Sequence, residues 1–240
     1  MTRIIRRLLD PFGRKSLARD LYDRFRPLHA PGLVKSANGI VDFWDKAHAT
    51  SSHLWISGTP PREIYERLKV EKLLTAGSLS ILNVGVGEGY CEFDLKKKKH
   101  LVDSLDISQV ALNRVLKVVG TGFLNASLLP LNKYDLILHH LVAQHMTHKD
   151  LETQLLYLIR ALKNEGLIAM QFASNSTQKN FVQSDADTVV VMSGGVLRSK
   201  KFIEDIVKQS GGKVMAFYEN EIWANSDCQY ISVHISKAKF

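Results

Sequence analysis

The chain reads as an α/β protein: a doubly wound, mostly parallel sheet of seven strands with an antiparallel last strand, preceded by an N-terminal helical arm. Three observations predict this. Residues 80–106 run strand, glycine loop, helix, second strand, acid. Short apolar runs at 134–139 and 167–173 follow, alternating with amphipathic helical stretches. Two strand-like runs, 214–218 and 229–236, then come with no helix between them, the order expected of an antiparallel hairpin. A length of 240 residues fits an arm or lid over 1–60 and one domain over 61–240.

Composition narrows the class. Hydrophobic content of 45% and charged content of 23% are ordinary for a soluble globular chain. Only Cys91 and Cys228 occur, far apart and without metal-ligand spacing, so a reducing, cytoplasmic setting without disulfides is expected. No apolar run is long enough to cross a bilayer. A net charge of +8 permits a nucleic-acid or anionic-membrane partner without demanding one.

The arm comes first. In residues 1–15, Ile4, Ile5, Leu8, Leu9 and Phe12 recur at helical spacing with Arg3, Arg6 and Arg7 between them. The arginines break the apolar run, so this is no secretory signal. Two roles stay open: docking on its own domain or on a second copy of the chain, as in a homodimer, or weak contact with an anionic membrane surface. Residues 16–25 continue as a helix with Ser16 as N-cap. Pro27, Pro31, Gly32 and Gly39 then interrupt the chain. Residues 40–46 form a short amphipathic stretch, and 48–61 are polar and turn-rich. Trp44 and Trp55 either cover a ligand or pack as ordinary aromatics. His48 and His53 read as loop histidines. Pro60 and Pro61 suit a helix start. Ile64, Leu68, Leu73 and Leu74 give one apolar face running to Gly77.

The first strand, residues 80–84, breaks into Gly85, Gly87 and Gly89. Alternating glycines cannot extend a strand cheaply, but they allow a tight turn with positive φ and close approach of a ligand to the backbone. The dinucleotide fingerprint is G-x-G-x-x-G. Here the spacing is G-x-G-x-G, and Glu88 would repel a phosphate in the turn. A nucleoside without phosphates is the better ligand. Asp106, 17 residues after Gly89, ends the second strand and would accept hydrogen bonds from ribose hydroxyls. Between them, Lys96 to Lys99 lack interleaved aromatics and read as a solvated helix end rather than a nucleic-acid patch.

On this loop and this acid the chain resembles the class I S-adenosylmethionine-dependent methyltransferases, a Rossmann-like family. The resemblance implies S-adenosylmethionine as cofactor, with Asn83, Gly85, Val86, Gly87 and Gly89 around its methionine part and Asp106, beside Ile107, on its ribose. Asn83 stands where the family commonly has an acid. Residues 43–67 loosely resemble the lid of small-molecule and sugar methyltransferases.

Ser108 caps the next helix, with Val110, Ala111, Val115 and Val118 facing inward. Residues 121–124 form the third strand. The family usually has an acid near here for the adenine amino group; Asn125 is the positional match. The fourth strand, 134–139, opens on a Tyr-Asp pair common in the family, so Asp135 reads as structural. It empties into a histidine-rich segment, His139, His140 and His145, where a doubly wound sheet gathers its ligands. His139 is expected beside the cofactor. Methyl transfer needs acceptor, methyl and sulfur held in line, and a hydroxyl acceptor must lose its proton. Histidine, with an unperturbed pKa of about 6.5, suits that task. His145 is the first candidate base and His140 the second; either also fits as pocket lining or a helix cap. No carboxylates at metal-ligand spacing accompany them, so no metal is expected.

Residues 151–162 carry a leucine face, 163–166 read as a turn, and the fifth strand, 167–173, ends in polar residues that would face an acceptor. The Leu162-Lys163 to Gly166 pattern matches the family. Residues 177–197 read as a substrate-shaping insert, and 199–209 as a helix capped by Ser199. Methyl transfer to a small-molecule hydroxyl, of a sugar or glycoconjugate, is the leading expectation. RNA methylation, supported only by charge, and a non-catalytic cofactor binder are the alternatives.

Overall fold

The computed structural model describes residues 37–50, 59–175, 196–222 and 228–238, all within a compact unit spanning Leu33–Phe240. The arm at 1–15, the helix expected at 16–25, His53, Trp55 and most of the 177–197 insert lie outside the described residues. The elements are α1 (Ala37–Thr50), α2 (Pro61–Leu68), β1 (Ser80–Val84), α3 (Tyr90–Lys97), β2 (Leu101–Leu105), α4 (Gln109–Val115), β3 (Gly122–Phe123), β4 (Tyr134–His139), α5 (His148–Ala161), β5 (Leu162–Asn175), α6 (Lys200–Gln209), β6 (Gly212–Ile222) and β7 (Cys228–Lys237).

The seven strands form one sheet in the order β3-β2-β1-β4-β5-β7-β6. Strands β1 to β5 are parallel; β7 runs antiparallel to both β5 and β6 and lies between them. The strand order therefore reverses between β1 and β4, which opens a crevice at the carboxyl ends of those strands. The central strands are apolar on both faces because helices cover both. Leu82, Ile137, Ile168 and Met170 pack under α5 and α6, while Ile81, Leu136, Leu138 and Ala169 pack under α2 and α3.

Local signals set most helix ends. Pro61 opens α2, Ser108 caps α4 through Ala111 N–H, Thr147 caps α5 through Asp150 N–H, and Ser199 caps α6 through Phe202 N–H. Asp135 accepts from Ser80 N–H and from Lys163, tying the starts of β1, β4 and β5 together, a structural role.

Four expectations are corrected. Helix α1 runs on to Thr50, so His48 is helical and buried rather than in a loop. The apolar face from Ile64 to Leu74 is not one helix: α2 stops at Leu68, Lys69 turns left-handed with φ 57°, and Leu73–Thr75 make a separate 3-10 turn. The turn expected at 163–166 is part of β5, where the ladder slips between the Tyr134 and Leu136 pairings. Gly166 sits at that slip, and a Cβ there would meet the Tyr134 carbonyl at 2.8 Å. Val110, at the start of α4, is only half-buried, whereas Val118, beyond the end of that helix, packs partly buried against Val86, Ala111, Leu112 and Val115.

Candidate functional site

A cavity of about 430 Å³ lies over the carboxyl ends of β1, β2 and β4, within the size range of small-molecule sites. Its floor begins at the glycine loop. Gly85, Gly87 and Gly89 all have positive φ, at 84°, 57° and 78°. Two are also closely packed. A Cβ on Gly85 would meet Val142 Cγ2 at 2.4 Å, and one on Gly89 would meet Val115 Cγ1 at 2.5 Å. Asn83, Gly85, Val86 and Gly87 line the cavity, whereas Gly89 serves behind it as the N-cap of α3.

Asp106 stands at the end of β2 on the cavity wall, with Ile107 beside it. Its Oδ2 accepts from Val86 N–H at 2.7 Å and its Oδ1 from Ser108 N–H at 2.8 Å. One carboxylate therefore couples the glycine loop to α4, with acceptor capacity left for a ligand, since its two oxygens carry about four lone-pair sites. Burial pushes its pKa up to about 6, against the pull of those backbone donors. Asn83 donates to Glu92 Oε1 at 2.8 Å. Asn125 lines the cavity and caps the short 3-10 turn after β3, its side-chain oxygen accepting from Ser127 N–H at 2.9 Å.

Helix α1 forms the opposite wall through Ile40, Val41, Trp44 and His48. It is latched at two points. Asp45 accepts from Ser108 Oγ and from Val110 N–H. Arg114 of α4 donates to the carbonyls of Gly87 and His48, to His48 Nδ1 at 3.2 Å, and to Glu88 at 3.1 Å. Glu88, read as a phosphate repellent, is thus also part of the latch.

The segment after β4 closes the far end. His140 and His145 both line the cavity, and the Trp44 and His145 rings meet edge to face at 5.2 Å. His139 does not line it; fully buried, it bonds Gln154 at 2.8 Å, and Gln154 is the group on the wall. Burial holds the pKa of His139 down at about 4 and that of His140 at about 3, with the Arg67 guanidinium adding to the effect on His140. His140 is therefore neutral near pH 7 and a weak base. Gln171 and Ser174 at the end of β5 are buried, and neither lines the cavity.

Sequence reasoning missed the supports. Arg198 is 1% exposed, yet has no carboxylate partner among the described residues. Its guanidinium donates to Ala143 O at 2.7 Å and Met146 O at 2.6 Å, the carbonyls bracketing His145. No local pattern marks it. Asp150, Thr153, Gln154 and Tyr157 of α5 also reach the cavity, at a helical spacing that was legible on the flank of the leucine face. Among the described residues no group of three or more His, Cys, Asp or Glu could hold a metal.

No family model matches the chain, and no curated protein does. Solved structures do match. A 1,6-didemethyltoxoflavin-N1-methyltransferase from Burkholderia thailandensis, with bound 1,6-didemethyltoxoflavin and S-adenosylhomocysteine, superposes with a TM-score of 0.65 at 11% identity, over 88% of this chain and 93% of that one. The magnesium protoporphyrin IX methyltransferase ChlM from Synechocystis PCC 6803, with bound S-adenosylhomocysteine, gives 0.54 at 14% identity, over 93% and 99%. The chain has the class I methyltransferase fold. The [4+2]-cyclase SpnF gives 0.63 at 12% identity, over 87% and 98%, so a close likeness in class I fold does not fix the reaction.

Proposed function

We propose that this chain is an S-adenosylmethionine-dependent methyltransferase that methylates a hydroxyl of a small-molecule acceptor, a sugar or glycoconjugate. The observation that carries the reading is the cavity at the strand-order reversal, floored by three positive-φ glycines and walled by the Asp106 carboxylate. The residues fit the cofactor. The loop leaves no room for side chains at Gly85, and Asp106 offers acceptor lone pairs at the end of β2. Asn83, Gly85, Val86 and Gly87 would hold the methionine part, Asp106 and Ile107 the ribose, and Asn125 the adenine edge. Gly89 and His139 would act from behind, the first through the loop and the second through Gln154.

When bound, the cofactor supplies a methyl group on a sulfonium, a good leaving group. This chain's task is then to hold an acceptor hydroxyl in line and take its proton. His145 is the stronger candidate for that proton, because it faces the cavity against Trp44, while burial weakens His140 as a base. The proton moves from the acceptor oxygen to a ring nitrogen of His145. His140 then shapes the wall. The likeness to a [4+2]-cyclase keeps a second reading in play, a cofactor binder of this fold that does not transfer methyl groups. RNA as acceptor rests only on the net charge of +8.

No described helix is long and apolar enough to cross a membrane. A cytoplasmic enzyme, with weak membrane-surface contact or subunit docking through residues 1–15, completes the proposal. Calorimetry with S-adenosylhomocysteine tests the cofactor. Labelled S-adenosylmethionine, offered with carbohydrate and small-molecule pools and read by mass, tests the transfer. A methylated product carrying no hydroxyl-derived ether would sink the acceptor class, and tight binding with no product in any pool would favour the second reading.

A further inference from the structure

Behind the cavity floor lies an acid that the proposed chemistry does not use. Glu92 sits in α3 and is fully buried. Its Oε1 accepts two hydrogen bonds, from Asn83 Nδ2 at 2.8 Å and from Ser104 Oγ at 2.9 Å. Its Oε2 is buried and has no hydrogen-bond partner among the described residues. A carboxylate oxygen has two lone-pair sites, and both sites of Oε1 are taken. Any proton on this group therefore resides on Oε2, where no acceptor receives it. Neither protonation state is well satisfied. The neutral acid leaves its O–H unbonded, and the anion is buried with only neutral donors.

The charged and titratable neighbours do not relieve this. Asp106, at the end of β2, repels an ionised Glu92. Cys91 of the same helix and Tyr65 of α2 also lie within its field, and burial pushes both of their pKa values up, so they stay neutral. The Tyr65 hydroxyl donates to Asp94, and Lys98 lies over the Tyr65 ring at 4.7 Å. Burial is the largest effect on Glu92 and pushes its pKa up to about 7. Asn83, bonded to Glu92, itself lines the cavity.

We infer that Glu92 is the acid of the cofactor loop, acting through Asn83 as a positioning residue, and that it releases its proton to solvent when a cationic cofactor occupies the cavity. The inference rests on the cofactor reading above. A positive ligand on the far side of Asn83 offsets both the burial of the anion and its repulsion by Asp106. Ionised Glu92 then bonds Asn83 and Ser104 more strongly, since hydrogen bonds to a charged acceptor are about twice as strong as neutral ones. Loop order, ligand charge and one proton become linked. Affinity for the cofactor should rise with pH across the range in which free Glu92 titrates.

The test needs no acceptor. S-adenosylhomocysteine and S-adenosylmethionine are titrated into the full chain at pH 7 in two buffers of different ionisation enthalpy. The wild type should release on the order of half a proton per S-adenosylmethionine bound, as expected for a group half protonated at that pH, and clearly less with S-adenosylhomocysteine, which lacks the sulfonium charge. Its affinity should strengthen several-fold from pH 6 to pH 8. Glu92→Gln should release almost none at pH 7, and its affinity should change little between pH 7 and pH 8, the dependence that remains lying near pH 6, where Asp106 titrates. Asn83→Asp sets two carboxylates against each other and should weaken binding at least tenfold at pH 8. Adding Glu92→Gln to that variant should restore most of the loss. A purely structural Glu92 would change melting temperature and leave proton release untouched. Equal release in wild type and Glu92→Gln on binding S-adenosylmethionine, or binding of S-adenosylmethionine by the wild type with none, overturns the inference alone. Should Glu92→Gln fail to fold, proton release by the wild type and weakened binding by Asn83→Asp carry the test, and absence of either overturns it. No binding of either ligand by the folded wild type overturns the cofactor reading and this inference with it.

Discussion

At the scale of single residues, the site divides into groups that touch the cavity and groups that aim them. Asp106 touches it, and its carboxylate also holds Val86 and Ser108. Asp106→Asn keeps one acceptor and loses the charge. It should weaken S-adenosylhomocysteine binding about 10- to 100-fold by calorimetry, the worth of hydrogen bonds to a charged group. His145→Ala should lower turnover about 10²- to 10⁴-fold, the range for a general base. Its affinity for S-adenosylhomocysteine should stay within a few-fold of wild type. Near-normal turnover would remove His145 from the chemistry. Arg198 aims without touching: its guanidinium pins the carbonyls of Ala143 and Met146 on either side of His145. Arg198→Met removes the guanidinium from the Met146 carbonyl and leaves the Ala143 carbonyl only its bond from Met146 N–H, so the melting temperature should fall by roughly 5–15 °C. A variant as stable as wild type would show that the clasp does not hold the segment.

At the scale of elements, the glycine loop and α1 face each other across one ligand space. The loop is built by close approach. Gly85 has φ 84°, and an added Cβ would meet Val142 at 2.4 Å. Gly85→Ala should therefore cost about 1–3 kcal/mol of stability and abolish cofactor binding, because both the backbone angle and the packing oppose a side chain. Helix α1 is held over the cavity by Arg114 and Asp45. The loop and the acid at the end of β2 were legible from spacing alone, since each needs only local chain geometry. The latch was not. Arg114 reads as an unremarkable surface position on α4, and its partners at Gly87 and His48 lie far off in sequence. The single-helix reading from Ile64 to Gly77 failed for a related reason. Tertiary packing of Leu68, Val70 and Leu74 asks for a left-handed turn at Lys69, which apolar periodicity cannot reveal.

At the scale of the whole molecule, buried ionisable groups set a pH response of two opposing signs. Burial raises the pKa of Glu92 to about 7 and that of Asp106 to about 6. The unfolded chain ionises both near pH 4, so across the interval up to pH 7 the folded state binds more protons and stability falls as pH rises. His139 and His140 behave the other way. Their folded values, about 4 and about 3, lie below the unfolded value near 6.5, so their stabilisation is present above pH 6.5 and lost as pH falls through 4 and 3. Glu92→Gln should thus gain stability over wild type as pH is raised from 5 to 8, with little gain at pH 5, as read by thermal melts at both values. A pH-independent difference would refute this. The strand pattern, the glycine spacing and the acid after β2 were enough to specify the α/β class, the direction of each strand and the position of the loop and of that acid, because these follow from periodicities and backbone angles along contiguous chain. Only the folded structure decided which buried side chains support the site. Glu92 beneath Asn83, Arg198 behind His145 and Gln154 before His139 are pairings between separate elements, and their energetics come from desolvation, which exists only once the layers have closed over them.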